Sequence, residues 1–162
     1  MSLDRARAHL AQFGRADDII VTEQSSATVD LAAAALGVEP ARIAKTLSFH
    51  GSRPGTAILV VMAGDARVRN AAFKQTFGLK ARMLGGDDVE ALTGHAPGGV
   101  CPFGVPDSAT VWLDTSLRRF TTVFPACGSA NSAIGLSCED LAAISAPAGW
   151  VTVSQVPEEN AA

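Results

Sequence analysis

The sequence predicts an α+β domain, in which a curled, mostly antiparallel mixed sheet is flanked by helices and which spans residues 1–162 as a single unit. Three observations lead to this prediction. Hydrophobic residues are 48% of the chain and charged residues 18%, as in globular proteins with a sizeable core. Helical stretches that end at glycines alternate with short apolar stretches in the first half. Apolar stretches at hairpin-like spacing dominate the second half.

The first elements are predicted from their end signals. Ser2 can cap a helix whose apolar residues lie on one face and which Gly14 ends. The elements expected next are a strand at Asp18–Thr22, a capping stretch from Ser26 to Thr28, an alanine-rich helix at Val29–Leu36 closed by Gly37, and a short turn opened by Pro40.

A β-hairpin is predicted in the middle of the chain. Thr46–His50 alternates apolar and polar residues as a half-buried strand does, and Thr56–Met62 is strongly apolar. The turn residues of Gly51–Gly55 join these two strands. The pattern then predicts a helix from Ala66 to Phe77 ended by Gly78, a strand from Lys80 to Leu84 and a helix from Asp87 to Leu92.

Short strands are predicted for most of the remaining third. They are Ala109–Asp114, Phe120–Ala126, Ser132–Ser137 and Trp150–Ser154, with turns at Ser116–Arg119 and Gly128 and a short helix at Cys138–Ile144. The polar tail from Pro157 is expected to fray.

The stretch from Thr93 to Pro106 has an unusual composition for this chain. It holds four glycines and three prolines between Gly94 and Pro106. Glycines allow backbone angles that other residues avoid and prolines fix φ, so such a loop is held in one shape. Its N–H groups could bind a carbonyl or phosphate oxygen. A tight connection between two elements explains the composition equally well.

Lys45 is the first candidate for chemistry. It enters the predicted strand beside the apolar Ile43-Ala44 pair, and by the period of two it shares a face with Leu47 and Phe49. A lysine on a core face must extend its ammonium to water, pair with another group or line a pocket. A partly desolvated ammonium is well suited to hold an ester, a hydroxyl or a backbone carbonyl.

The cysteines and histidines allow a nucleophile but no metal site. Cys101 lies six residues after His95, and a Cys–His pair could form a thiolate, although no third orienting group is evident. Cys127 and Cys138 are expected to be small buried apolar residues. Three cysteines and three histidines without metal-ligand spacing predict neither a metal site nor a disulfide framework. Because no phosphate-binding glycine motif occurs, no cofactor is expected.

The charge pattern limits the partners that the chain could bind. A formal net charge of −3 gives no global basic field for nucleic acid. One basic segment either forms a solvated helix face or contacts phosphates at a nucleic-acid end, and it contains Arg67, Arg69, Lys74, Lys80 and Arg82. Since no apolar signal segment and no apolar run of about 18 residues is present, we expect a cytoplasmic protein that does not contact a membrane.

Two sets of residues together resemble a known family. The first is Ala44-Lys45-Thr46-Leu47, which follows the Ala-rich helix and the turn Gly37-Val38-x-Pro40 and precedes Val61-x-Ala63-Gly64-Asp65. The second is Thr93-Gly94-x-x-Pro97-Gly98-Gly99-Val100-x-Pro102-Phe103-Gly104. From Thr22 to Ser154 the chain resembles the bacterial YbaK-like, prolyl-tRNA-editing superfamily of trans-acting aminoacyl-tRNA deacylases.

This resemblance implies a fold and an activity. The implied fold is a curled, barrel-like sheet like that of the editing domain of prolyl-tRNA synthetase. The implied activity is hydrolysis of the ester that joins a small wrong amino acid to the 3′ end of a tRNA, commonly tRNA-Pro. The implied nucleophile is a bound water or the thiol of a cysteinyl substrate. No protein nucleophile is then needed, which makes Cys101 a pocket residue.

The resemblance also implies site residues. Lys45 matches the central functional lysine and is the expected catalytic residue. The aminoacyl pocket would be lined by Gly98, Gly99, Val100, Cys101, Pro102 and Phe103. Further substrate-binding candidates are Thr28, near the start of the second helix, and Gly128 and Ser129, in a turn after a strand. Asp65 is expected to cap the helix that follows it, with a water or Lys45 as the alternative partner.

Two other functions stay open. One is a non-catalytic module of the same fold that holds a tRNA or a synthetase, and the other is a cysteine hydrolase that uses Cys101. The acidic net charge predicts weak affinity for tRNA, so a prolyl-tRNA synthetase or an elongation factor is the expected partner. Alanine, cysteine, serine and small non-protein amino acids all fit as the edited residue, because pocket size discriminates a methylene by only about 1–3 kcal/mol.

Overall fold

The structure of the chain, a computed structural model, describes residues 2–157. The fraying predicted for the tail from Pro157 therefore concerns residues almost all of which lie outside the described range. Five α-helices occur within it: Ser2–Ala11 (α1), Val29–Leu36 (α2), Asn70–Phe77 (α3), Gly86–Thr93 (α4) and Cys138–Ser145 (α5). Short 3₁₀ turns lie at Ala16–Asp18, Pro40–Arg42 and Thr115–Arg119.

Nine strands form one main sheet and two small antiparallel ribbons. The strands are Ile20–Val21 (β1), Ile43–His50 (β2), Ala57–Ala63 (β3), Arg67–Val68 (β4), Ala109–Asp114 (β5), Phe124–Pro125 (β6), Ser132–Ala133 (β7), Gly149–Val151 (β8) and Ser154–Gln155 (β9), all within residues 2–157. The main sheet has the order β6-β2-β3-β5-β8, while β1 pairs with β7 and β4 with β9. The predicted α+β class with a mixed sheet is confirmed, but the main sheet is not mostly antiparallel, because three of its four strand pairs are parallel.

The hairpin β2–β3 is the centre of the sheet. The two strands pair antiparallel from Ala44↔Ala63 to His50↔Ala57, as the hairpin pattern predicted. Every residue of β3 is buried, because β3 lies between β2 and β5 and is covered on both faces. The pairing of β3 with β5 is parallel, and its connection passes through α3, α4 and the Gly/Pro loop. That crossover places the loop near the hairpin.

Several predicted strands are shorter than expected. The segment 115–119 forms a 3₁₀ turn that Asp114 caps. Of the predicted strand 120–126, Phe124–Pro125 pairs with β2. The segment 80–84 keeps one isolated bridge, between Met83 and Phe49. Helix α3 begins only at Asn70, since Arg67–Val68 pairs with β9. The capping role expected for Asp65 is therefore wrong.

Candidate active site around Lys45

A cavity of about 310 Å³ opens at the outer edge of β2. We call it the Lys45 cavity. Four parts of the chain form its wall: the start of β2, the loop and first turn of α2, the Gly/Pro loop, and the strands β6 and β7 with the residue that follows β6. The lining residues are Ser26, Ala27, Thr28, Val29, Ala32, Ile43, Ala44, Lys45, Thr46, Leu47, Gly98, Val100, Phe124, Ala126, Ser132 and Ala133.

The cavity exists because β2 is paired along only part of its outer edge. Strand β6 pairs with Ile43 and Ala44 and then turns away. The next contact on this edge is at Ser48, whose carbonyl accepts from the Leu84 N–H at 3.0 Å. The intervening residues, 45–47, pair with β3 on their other side and line the cavity on this edge.

The Lys45 ammonium is held by the chain that follows β3. It donates to the carbonyl oxygens of Ala66 at 2.5 Å and Gly64 at 3.2 Å. An ammonium has three donors, so one N–H remains for a ligand. Burial lowers the pKa of Lys45, with the nearby charge of Asp65 acting in the opposite direction and Arg67 lowering it further.

A second cavity of about 510 Å³, the Asp65 groove, lies beside the first. Both cavities are lined by Thr28, Val29 and Lys45, so the lysine stands at their junction. Asp65 pairs there with Arg119 through two contacts of 2.5 and 3.2 Å, which is the two-pronged geometry that favours arginine. Of the basic segment 67–82, Arg67 also lines the groove. The groove thus continues the Lys45 cavity as a charged surface.

The Gly/Pro loop reaches the cavity through a tight turn. The Gly99 N–H donates to the Ala96 carbonyl at 3.0 Å, with Pro97 and Gly98 at the two central positions. Gly98 has φ +89°, which a residue with a Cβ adopts only with strain. This turn brings Gly98 and Val100 to the cavity wall, as predicted from the sequence.

Gly99 packs closely against the turn that contains Gly128 and Ser129. A Cβ at Gly99 would lie 2.5 Å from the Gly128 carbonyl carbon and the Ser129 amide nitrogen. The Ser129 hydroxyl lies 2.6 Å from that of Ser132, which lines the cavity. The structure therefore brings the predicted residues Gly99, Gly128 and Ser129 together. They do not line the cavity but pack behind its wall and support that wall.

Two hydroxyls at the cavity lack partners. Thr28 lines the wall as expected, but its hydroxyl caps α2 by accepting from the Leu31 N–H at 3.2 Å. By contrast, the buried Oγ of Ser26 and Oγ1 of Thr46 have no hydrogen-bond partner among residues 2–157. Neither residue was proposed for the site from the sequence, although Ser26 belongs to the predicted capping stretch and Thr46 stands directly after Lys45 in the family motif.

Cys101 and Phe103 do not reach the cavity, contrary to the prediction. Both are fully buried in the core, and Pro102 lines a separate depression beside His9. The reason is the path of the loop after Val100, which turns inward and is held there by His95. None of these three residues lines the Lys45 cavity.

The fully buried His95 cannot activate Cys101. The His95 Nε2 lies 2.7 Å from the Phe103 carbonyl, which only accepts, so Nε2 carries the proton. It therefore has no lone pair for the Cys101 thiol, 3.4 Å away. The other ring nitrogen, Nδ1, accepts from the Ser2 hydroxyl at 3.0 Å. Burial also raises the pKa of Cys101. A thiolate nucleophile does not form here.

Within residues 2–157, no group of three or more His, Cys, Asp or Glu side chains is placed to hold a metal ion. No helix in this range has the length and apolar character needed to cross a bilayer.

Comparison with known proteins identifies the family of the chain. Residues 23–144 match the profile of the aminoacyl-tRNA editing domain. The chain is 51% identical over 153 residues to YwhH, an uncharacterized protein of Bacillus subtilis, in an alignment that covers 94% of this chain and 97% of YwhH. It is 28% identical over 107 residues to EbsC of Enterococcus faecalis, a candidate Cys-tRNA(Pro)/Cys-tRNA(Cys) deacylase, over 66% of this chain and 65% of EbsC.

A solved structure is similar over almost the whole chain. It is that of a candidate trans-editing enzyme for prolyl-tRNA synthetase, with a TM-score of 0.84 and 26% identity, and the match covers 95% of this chain and 97% of the other. These findings confirm the YbaK-like resemblance read from the two motifs. The chain belongs to the aminoacyl-tRNA editing domain family.

Proposed function

We propose that this chain is a trans-acting aminoacyl-tRNA deacylase, which hydrolyses the ester of tRNA-Pro that carries a small wrong amino acid. The observation that carries the proposal is the Lys45 ammonium, fixed by two carbonyls with one donor free, on the wall of a cavity of about 310 Å³. A cavity of this size suits a small aminoacyl group and the ribose that bears it.

The reaction needs little beyond positioning. Water adds to the ester carbonyl carbon, the bond to the ribose oxygen breaks, and that oxygen takes up a proton as the amino acid leaves. Aminoacyl esters are reactive, so orientation and stabilisation of the oxyanion suffice. In this proposal Lys45 holds the terminal ribose or the aminoacyl group. One well-placed oxyanion donor contributes about 10²–10³ in rate.

The identity of the substrate draws support from two sources. The candidate activity of EbsC names Cys-tRNA(Pro), and the solved structure is that of a candidate trans-editing enzyme for prolyl-tRNA synthetase. With a cysteinyl substrate the thiol itself can attack the ester, and with alanine or serine water must do so. 2-Aminobutyryl-tRNA-Pro separates the two routes, because its ethyl side chain is close in size to that of cysteine and carries no thiol.

A deacylation panel tests the proposal. The purified protein is incubated with tRNA-Pro and tRNA-Ala charged with alanine, cysteine, serine or the cognate amino acid, and release of the amino acid is compared with spontaneous hydrolysis. We expect acceleration for at least one mischarged tRNA-Pro and none for prolyl-tRNA-Pro. Tight tRNA binding with no acceleration of any ester would instead support a non-catalytic binding module.

We also propose that a partner supplies part of the affinity for tRNA. With a net charge of −3 the chain lacks the broad basic surface that strong binding to phosphates requires. Adding prolyl-tRNA synthetase or elongation factor is therefore expected to lower KM for mischarged tRNA. Near-saturating binding of tRNA by the isolated chain at physiological salt would contradict this.

A further inference from the structure

We propose that the main chain of Thr46 binds the α-aminoacyl group as if it were one residue of an added β-strand. The Thr46 N–H donates to the ester carbonyl oxygen, and the Thr46 carbonyl accepts from the α-ammonium. The identity of this ligand rests on the proposed function. The geometry itself comes from the pairing of β2, which leaves Thr46 as a short open segment of sheet edge inside the cavity.

The open segment has defined ends. On the cavity side, β6 pairs with Ile43 and Ala44, and no pair with β6 follows. Further along the same side, the Ser48 carbonyl accepts from the Leu84 N–H at 3.0 Å, and the His50 N–H donates to the Arg82 carbonyl at 2.8 Å. Thr46 lies between these two paired stretches.

The direction of the Thr46 main-chain groups follows from the alternation along a strand. In an antiparallel pair, both main-chain groups of a residue point to the same side, and successive residues point to opposite sides. Since Ser48 and His50 point away from β3, Thr46 does so as well. Lys45 and Leu47 point to β3, where they pair with Met62 and Val60. The Thr46 N–H and carbonyl therefore face the cavity.

A single α-amino acid is the ligand that matches this segment. In a hydrogen-bonded antiparallel pair, two residues exchange two bonds, each using its own N–H and its own carbonyl. An aminoacyl ester carries the same two groups, an α-ammonium that donates and a carbonyl that accepts. One open residue, with paired residues on both sides of it, has room for one such unit.

Two buried hydroxyls without a partner in the described part of the chain also lie at this wall. A buried hydroxyl without a partner is unfavourable, because it has lost its bonds to water. Ser26 Oγ and Thr46 Oγ1 are the two side-chain atoms of this kind among residues 2–157, and both residues line the Lys45 cavity. A ligand with hydrogen-bonding groups beside Thr46 would give these hydroxyls partners that the free protein does not offer.

This binding mode has a catalytic consequence. A donor at the ester carbonyl oxygen also stabilises the negative charge that develops there when the nucleophile adds. Thr46 would thus position the substrate and act as one oxyanion donor, beside Lys45. Because the Thr46 carbonyl accepts a hydrogen bond from the α-ammonium, an ester whose acyl group lacks an amino group should be a poor substrate.

Amide hydrogen exchange tests the geometry without any need for activity. In the free protein, the Thr46 amide is expected to exchange at least about tenfold faster than those of Lys45 and Leu47, which bond to β3. Adding 3′-deoxy-3′-(alanylamino)adenosine in millimolar excess should slow Thr46 by a similar factor. The propionylamino analogue, which lacks the α-amino group, should bind at least about tenfold more weakly. Equal exchange of the three amides in the free protein, or no effect of the alanylamino probe on Thr46, would overturn the proposal.

Kinetics test the catalytic consequence. Thr46→Pro removes the outward N–H together with the hydroxyl and fixes φ, a change that an open edge position tolerates, and it should lower kcat by about 10²–10³. Thr46→Val keeps this N–H and removes the hydroxyl, so its loss should be far smaller. A folded Thr46→Pro variant with wild-type kcat would overturn the donor role. If this variant does not fold, the hydrogen-exchange experiment alone tests the proposal. Inactivity of the wild type on every mischarged tRNA, together with a Thr46 response to the probe, would refute only the proposed function.

Discussion

The Lys45 ammonium lies 2.5 Å from the carbonyl oxygen of Ala66, in the chain between β3 and β4. With the second bond to Gly64, this contact fixes the side chain before any ligand binds. The lysine therefore does not have to be ordered by the substrate, and its remaining donor already has a defined direction. Such preorganisation is the property that electrostatic stabilisation of a transition state requires.

The lowered pKa of Lys45 predicts an early loss of activity at alkaline pH. If the ammonium is the active form, the acceleration over spontaneous hydrolysis should decline below the pH at which an ordinary lysine titrates, near 10.4. Lys45→Arg, where active, should lack this decline because arginine stays protonated. The measurement is single-turnover deacylation from pH 7 to 10, corrected for the uncatalysed rate. A constant acceleration in the wild type would contradict a role for the charge.

The lowered pKa of Lys45 also affects how the free energy of unfolding depends on pH. Between the lowered pKa of folded Lys45 and its usual value, the unfolded chain binds more protons than the folded one at this site. The contribution of Lys45 to the free energy of unfolding should therefore rise with pH across that window and stay constant below it. Denaturant unfolding of the wild type and Lys45→Met at several pH values measures the difference. A contribution that falls with pH would refute the burial effect.

Gly99→Ala should damage both the fold and the cavity. Its Cβ would collide with the backbone of Gly128 and Ser129, which cannot move as a flexible side chain could. We expect a loss of about 1–3 kcal/mol in the free energy of unfolding and weaker substrate binding. Gly86→Ala, where nothing lies within 4 Å, is the matched control and should be neutral or slightly stabilising. Equal stability of the two variants would contradict the close contact between loop and turn.

Cys101→Ala should keep the activity. The thiol is fully buried, and this burial raises its pKa. The neighbouring His95 donates its Nε2 proton to the Phe103 carbonyl and therefore cannot accept one from the thiol there. We expect kcat/KM within about twofold of the wild type and a loss of about 1–2 kcal/mol in stability from the small cavity left behind. Deacylation and denaturant unfolding measure the two effects. A loss of activity in a variant that stays folded would revive the cysteine-hydrolase hypothesis.

The sequence predicted the parts of the site that depend on local patterns. The hairpin, Lys45 and the turn at Gly98 were expected from alternation, burial and glycine–proline composition, and the family motif joined them. The pair of Asp65 with Arg119 was not expected, because the two residues are 54 positions apart and meet only through the 3₁₀ turn after β5.

The wrong predictions have a common cause. Val100 and Cys101 are adjacent in the motif, yet the first lines the cavity and the second lies in the core. The direction of each side chain depends on how His95 holds the loop, which is a tertiary contact. In the same way, the open edge at Thr46 depends on where β6 ends, which no local pattern around Thr46 encodes.

The central claim is that the ester is cleaved in the cavity beside Lys45. The most direct test is single-turnover hydrolysis of alanyl- and cysteinyl-tRNA-Pro by the wild type and by Lys45→Met, which keeps an apolar stem and removes the charge. Loss of the charge-assisted hydrogen bonds predicts at least about a 10- to 100-fold lower kcat/KM, with circular dichroism showing a folded variant. Activity of Lys45→Met equal to that of the wild type on every mischarged tRNA would contradict the account.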